Sequence, residues 1–170
     1  MFRTTNLIAV FLFGLGETML FAANRYDPIN ASVLMLAMLL LAISSLRFLF
    51  VPYAPLTNRF GSLFLIFGFF GSAFFQLDIM AFGVTEHSNH FGKTLFIASQ
   101  VLLVLGSGLL GLWLYPLGKT DKSLGFTLPI AMLAYAAPRF LGLSASAQLV
   151  TALMLCATLA WLAIYKIQRY

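Results

Sequence analysis

The chain has 170 residues, 61% of them apolar and only 9% charged, with a formal net charge of +5. An average soluble domain carries about 25% charge, and a surface this poor in charge does not stay dissolved, so lipid is the expected solvent. The basic residues stand singly, with none of the clustering or basic helix faces that nucleic-acid binding requires; dispersed Lys and Arg suit the short loops of a membrane protein.

A helix needs ~20 mostly apolar residues to cross the hydrocarbon core. The first such run, at about 6–24, follows Met1-Phe2-Arg3. Phe21-Ala22-Ala23 is a poor cleavage site, so this run reads as a retained helix and not as a signal peptide. Asn24-Arg25-Tyr26-Asp27-Pro28 closes it. The second run, at about 30–51, stops at Pro52-Tyr53-Ala54-Pro55, and the third, at about 61–83, at Thr85-Glu86-His87-Ser88-Asn89-His90. A fourth spans about 94–115 and ends at Pro116, Gly118 and Lys119-Thr120-Asp121-Lys122. The fifth, about 125–142, is short and holds Pro129 and Pro138; Gly142 and Ser144 separate it from the sixth, at about 146–165. The expected fold is all-α: a single polytopic domain built as a bundle of six transmembrane helices.

Charge gives that bundle an orientation. With six spans, one side carries Arg3, Arg47, Arg59, Lys119, Lys122, Lys166 and Arg169, and the other only Arg25, Lys93 and Arg139. The positive-inside rule then puts both termini in the cytoplasm, and the compact loops point to a bacterial inner membrane. Tyr26, Tyr53, Trp113, Tyr115, Trp161 and Tyr165 fall near span ends, where interfacial aromatics belong.

Ionisable groups within a membrane are costly and usually face the bundle interior. The polar residues inside the predicted spans are Glu17, Gln76, Asp78, Gln100, Arg139 and Gln148. At 1.5 Å per residue, Glu17 lies ~10 Å below the outer end of its span, Asp78 and Gln100 ~9 Å, and Gln76 ~12 Å. Arg139 and Gln148 also sit toward that end, so the inner half is nearly free of such groups. Small residues share their faces: Gly14, Glu17, Phe21 and Asn24 on one stripe; Gly68, Gly71, Phe75 and Asp78 on a second; Gln100, Ser107 and Gly111 on a third; Gln148, Thr151 and Ala152 on a fourth. We therefore expect an outward-facing polar pocket lined by Glu17, Asp78, Gln100 and Gln148, with Arg139 at its mouth, as a substrate-binding site. Gln76 and Asp78 are roughly 200° apart around their helix, so the two cannot face one partner.

The catalytic signatures of metalloproteases, serine hydrolases and phosphate-binding loops are missing. His87 and His90 at i, i+3 are too sparse a pattern for a metal site, and the one cysteine, Cys156, lies in an apolar run and serves as a small hydrophobe. No metal or other cofactor is expected, and an enzyme is the lesser expectation. Three functions fit. The first is a component of a permease for a small solute or ion. The second is a non-catalytic subunit or assembly factor of a larger membrane complex, with other subunits or further copies of the chain as partners in the bilayer. The third is a membrane-embedded enzyme acting on a lipid, with Glu17 and Asp78 as its acid and base.

Overall fold

A computed structural model describes residues 2–23, 27–52, 54–82, 89–116 and 119–164. All of its regular structure is helical: α1 (Phe2–Ala23), α2 (Pro28–Leu49), α3 (Leu56–Phe82), α4 (Asn89–Leu114), α5 (Lys119–Phe140) and α6 (Ala145–Ile164).

Local chemistry sets the helix ends. Asp27 caps α2 through its carboxylate, which accepts from the Ile29 and Asn30 amides at 2.9 Å each, while Asn30 Oδ1 accepts from the Asp27 amide at 3.1 Å. This reciprocal box holds Pro28 in the first turn, where its missing N–H costs nothing. At the end of α5, Gly142 adopts φ +63°, the left-handed conformation that glycine takes without strain. There the Leu143 amide donates to Pro138 O and the Leu141 amide to Ala137 O, both at 2.9 Å, so carbonyls of the last turn are satisfied as the chain reverses. Ser144 then opens α6, its carbonyl accepting from the Gln148 amide at 3.1 Å.

Helices α1, α3, α4 and α5 start several residues before the apolar runs predicted for them, because a helix continues into polar residues where hydropathy no longer marks it. Five helices are long and apolar enough to cross a membrane: Thr4–Ala23, Pro28–Leu49, Leu56–Ala81, Gly92–Leu114 and Ala145–Ile164. Helix α5 is not among them, so the expected count of six spans is not established by length and composition. Its 22 residues include Lys119, Asp121, Lys122 and Arg139 as well as two prolines. The surface is that of a membrane-embedded protein: Phe11, Phe67, Leu112 and Met154 all project from it, more than half exposed.

The helices form a ring in chain order. Each packs on its neighbours in sequence, and α1 closes the ring against α6. Neighbours run antiparallel. Phe48 on α2 meets Asn58 near the start of α3, and Ser32 near the start of α2 meets Met80 near the end of α3. Likewise Asn6 and Val10 of α1 meet Leu159 and Cys156 of α6. The starts of α1, α3 and α5 and the ends of α2, α4 and α6 therefore share one end of the bundle, the proximal end.

Glycines bring the backbones together. A Cβ on Gly106 would stand 2.7 Å from the Leu65 amide nitrogen and 2.8 Å from Gly61 O, so α3 and α4 touch along their main chains. Gly111 and Gly125 make the equivalent contact between α4 and α5. Pro129 has no N–H to give the Gly125 carbonyl one turn earlier, and that carbonyl lies against Gly111.

Candidate functional site

Two polar regions lie inside the ring. The proximal one is neutral. Asn6 Nδ2 donates to Leu159 O at 3.5 Å, and Ser44 Oγ donates to Asn6 Oδ1 at 3.3 Å. With Ser45, Phe69, Leu128 and Met132 they border a cavity of about 10 Å³, room for about one water molecule. Nearby, Arg47 Nη2 holds Leu162 O at 2.9 Å, and Asn58 Nδ2 holds Phe48 O at 2.6 Å. The polar residues expected within the spans were placed toward the other end of the bundle, and these groups add a second polar region at the proximal end. Asn58 fell outside the predicted third span, Asn6 lay at the edge of the first, and the serines were not counted among the polar residues.

The distal region carries charge. The inward line of α1 runs Asn6, Phe13 and Glu17, and that of α5 runs Leu128, Met132, Tyr135 and Arg139; each repeats at helical spacing. Glu17 and Arg139 are nearly fully buried, and Arg139 Nη2 donates to Glu17 Oε2 at 2.7 Å. Tyr135 Oη donates to the second carboxylate oxygen, Glu17 Oε1, at 2.9 Å. Arg139 Nη1 donates to Tyr135 O at 2.8 Å, and its guanidinium lies 3.7 Å from the centre of the Tyr135 ring. Phe13 packs edge-on against that ring, with centroids 5.4 Å apart. Two buried charges thus neutralise each other and are hydrogen-bonded at both carboxylate oxygens, the condition under which an ion pair survives in a low dielectric.

Opposite them lies an array on α3 and α4. Ser99 Oγ donates to Phe96 O at 2.7 Å, Ser72 Oγ donates to Ser99 Oγ at 3.2 Å, and Gln100 Nε2 lies 3.5 Å from Ser72 Oγ. Gln76 is one turn beyond Ser72 on the same face of α3, and both glutamines are buried. From Phe69 and Met132 at the proximal cavity, Gln76 and Arg139 are each seven residues on, ~10 Å along the bundle, so they occupy one level.

The expected site residues therefore divide. Glu17 and Arg139 meet directly, and Gln100 is buried on the inner side of α4. Asp78 is half-buried on the side of α3 that carries Gly68, Gly71 and Phe75, and this side packs on α4. Its Oδ2 stands 2.5 Å from where a Cβ on Gly92 would lie, beside the first turns of α4. Gln148 is half-buried at the start of α6 and donates to Leu143 O at 2.9 Å, which ties down the α5–α6 turn. Two stripes also read differently in three dimensions: Gly14 lies against Cys156 of α6, and Phe21 is exposed. Asn24 and His87 are outside the described residues.

Sequence reasoning missed Tyr135 and left Gln76 out of the pocket. The signal for Tyr135 was its spacing, i−4 from Arg139 on one helix face. For Gln76 it was the pairing with Ser72 at i, i+4, opposite in direction to Asp78.

Among the described residues no cluster of three or more His, Cys, Asp or Glu suited to a metal ion occurs. Compared with known proteins, the chain matches no family model, no curated protein and no solved structure.

Proposed function

We propose that the chain is a six-span protein of the bacterial inner membrane with both termini in the cytoplasm, and that it binds a small solute in the outer half of its bundle as a component of a permease. One observation carries the reading. Side chains from α1, α3, α4 and α5 bring a neutralised ion pair, a phenol, two amides and two hydroxyls into the distal part of the bundle interior, the only one of the two polar regions with a buried ion pair among the described residues. Ionisable groups inside a membrane are costly to keep, and in membrane proteins they line solute and ion routes.

Two facts favour six crossings. The outward face of α5 is apolar, with Phe126, Ile130 and Leu133 all more than half exposed. The antiparallel ring also needs α5 to return the chain to the distal end. The proximal end is the Lys/Arg-rich one, which supports its placement in the cytoplasm.

A subunit of a larger complex would leave small-residue faces open to partner helices. Gly61, Gly106, Gly111 and Gly125 are used within this chain, between α3, α4 and α5. This favours the pocket over the subunit.

Ligand-dependent thermal stabilisation of the purified protein in nanodiscs tests the reading. Some polar solute raises the melting temperature, and Glu17→Ala together with Arg139→Ala removes the response. A C-terminal reporter that is active only outside the cytoplasm stays silent. If no solute of any charge class shifts melting, the binding function is wrong; if the reporter is active, the orientation is.

A further inference from the structure

Gln76 and Gln100 are 6% and 1% exposed, and the side-chain carbonyl oxygen of each has no hydrogen-bond partner among the described residues. Such groups are rare in folded interiors, because a buried acceptor left unpaired forfeits its hydration with nothing in return.

Their orientation follows from the hydroxyl chain beside them. The Ser99 proton is committed to Phe96 O and the Ser72 proton to Ser99 Oγ, so Ser72 Oγ can only accept. Gln100 turns its N–H₂ toward Ser72 Oγ at 3.5 Å, in keeping with that direction, and its carbonyl faces away. The chain thus fixes Gln100 as an acceptor toward the interior. Gln76, one turn from Ser72, adds a second acceptor on the same face.

We infer that Gln76 and Gln100 recognise a small uncharged solute that carries N–H donors, a carboxamide or urea-type group foremost. This rests on the pocket reading above and specifies its ligand. The charge of the ligand follows from the ion pair. Glu17 is neutralised by Arg139 at 2.7 Å and also accepts from Tyr135, so a charged solute would bring an uncompensated charge into the interior. A metal cation is poorly served, since hard cations take six or more oxygens and the two glutamines offer two. An amide N–H₂ group, by contrast, has two donors for two carbonyls.

Malonamide, malonate and propanediamine have similar shapes and differ in charge, and they serve as probes with the full-length protein in nanodiscs. Malonamide raises the melting temperature, and the two charged compounds do not. Gln76→Leu and Gln100→Leu each weaken malonamide binding by about tenfold or more, read by calorimetric titration. Both variants melt, without ligand, at or above the wild-type temperature, because an unpaired acceptor has been replaced by an apolar group. A merely structural glutamine would move the other way.

Three results would overturn the inference. Binding of malonate or propanediamine in preference to malonamide rejects the neutral-ligand class while leaving the pocket standing. Ligand-free destabilisation of both leucine variants shows that the carbonyls are paired within the folded protein. Absence of binding by every solute, charged or not, removes the pocket reading itself.

Discussion

Arg139 and Glu17 are 2.7 Å apart although the helices that carry them, α5 and α1, are not neighbours in the ring. Their side chains reach across the interior, where the backbones do not meet. The ion pair is a cross-brace, and its partners cannot be removed one at a time without consequence.

Glu17→Ala leaves the Arg139 guanidinium buried and without its carboxylate, and is expected to cost ~3–5 kcal/mol. Glu17→Leu combined with Arg139→Leu recovers most of that loss, because no charge remains inside. Unfolding titrations in mixed detergent micelles of Glu17→Ala, of the two single leucine variants and of their combination measure both, the leucine set closing a double-mutant cycle. A double variant no more stable than Glu17→Ala would contradict the pairing.

Tyr135→Phe removes one hydrogen bond to a charged oxygen while keeping the ring that Arg139 and Phe13 pack against. The expected loss is ~1.5–3 kcal/mol, with the helical circular dichroism unchanged. A loss much larger than this would mean that the phenol also shapes the packing.

Gly106→Ala and Gly108→Ala lie two residues apart on α4 and should behave in opposite ways. At Gly106 the new methyl meets the main chain of α3, and ~1–3 kcal/mol is lost. At Gly108 nothing lies within 4 Å of the added carbon. Alanine there is neutral or gains up to ~1 kcal/mol of helix propensity. Melting temperatures of the two single variants, side by side, decide it.

Asn58→Ala orphans the buried carbonyl of Phe48, which now accepts at 2.6 Å. The expected loss is ~1–3 kcal/mol, and proteolysis should increase at the α2–α3 connection, where this bond clamps the chain.

Six helical segments were legible in the sequence because apolar runs and Pro- or Gly-rich breaks mark them in any solvent. Their starts were not, since α3 opens on Leu56, Thr57, Asn58 and Arg59, which read as a loop by hydropathy. Glu17 and Arg139 were expected in one pocket, and the two meet as an ion pair. Asp78 was harder. Its stripe of glycines was read as lining the pocket, but a face of small residues can serve a neighbouring helix as well as the centre. Periodicity gives the angle around a helix and not what stands opposite. Gln148 shows the same limit: a polar residue one turn into a helix can belong to its first turn.

Helices α1 and α6 pack together and close the ring, with the start of α1 and the end of α6 at the same end of the bundle. The six helices form a closed circuit in space, and which connection between neighbours is covalent is incidental to the packing. Joining the end of α6 to the start of α1 by a linker and opening the connection between α3 and α4 would preserve every helix–helix neighbour. A circular permutant of this kind, or two separately made three-helix halves, should assemble into the same ring.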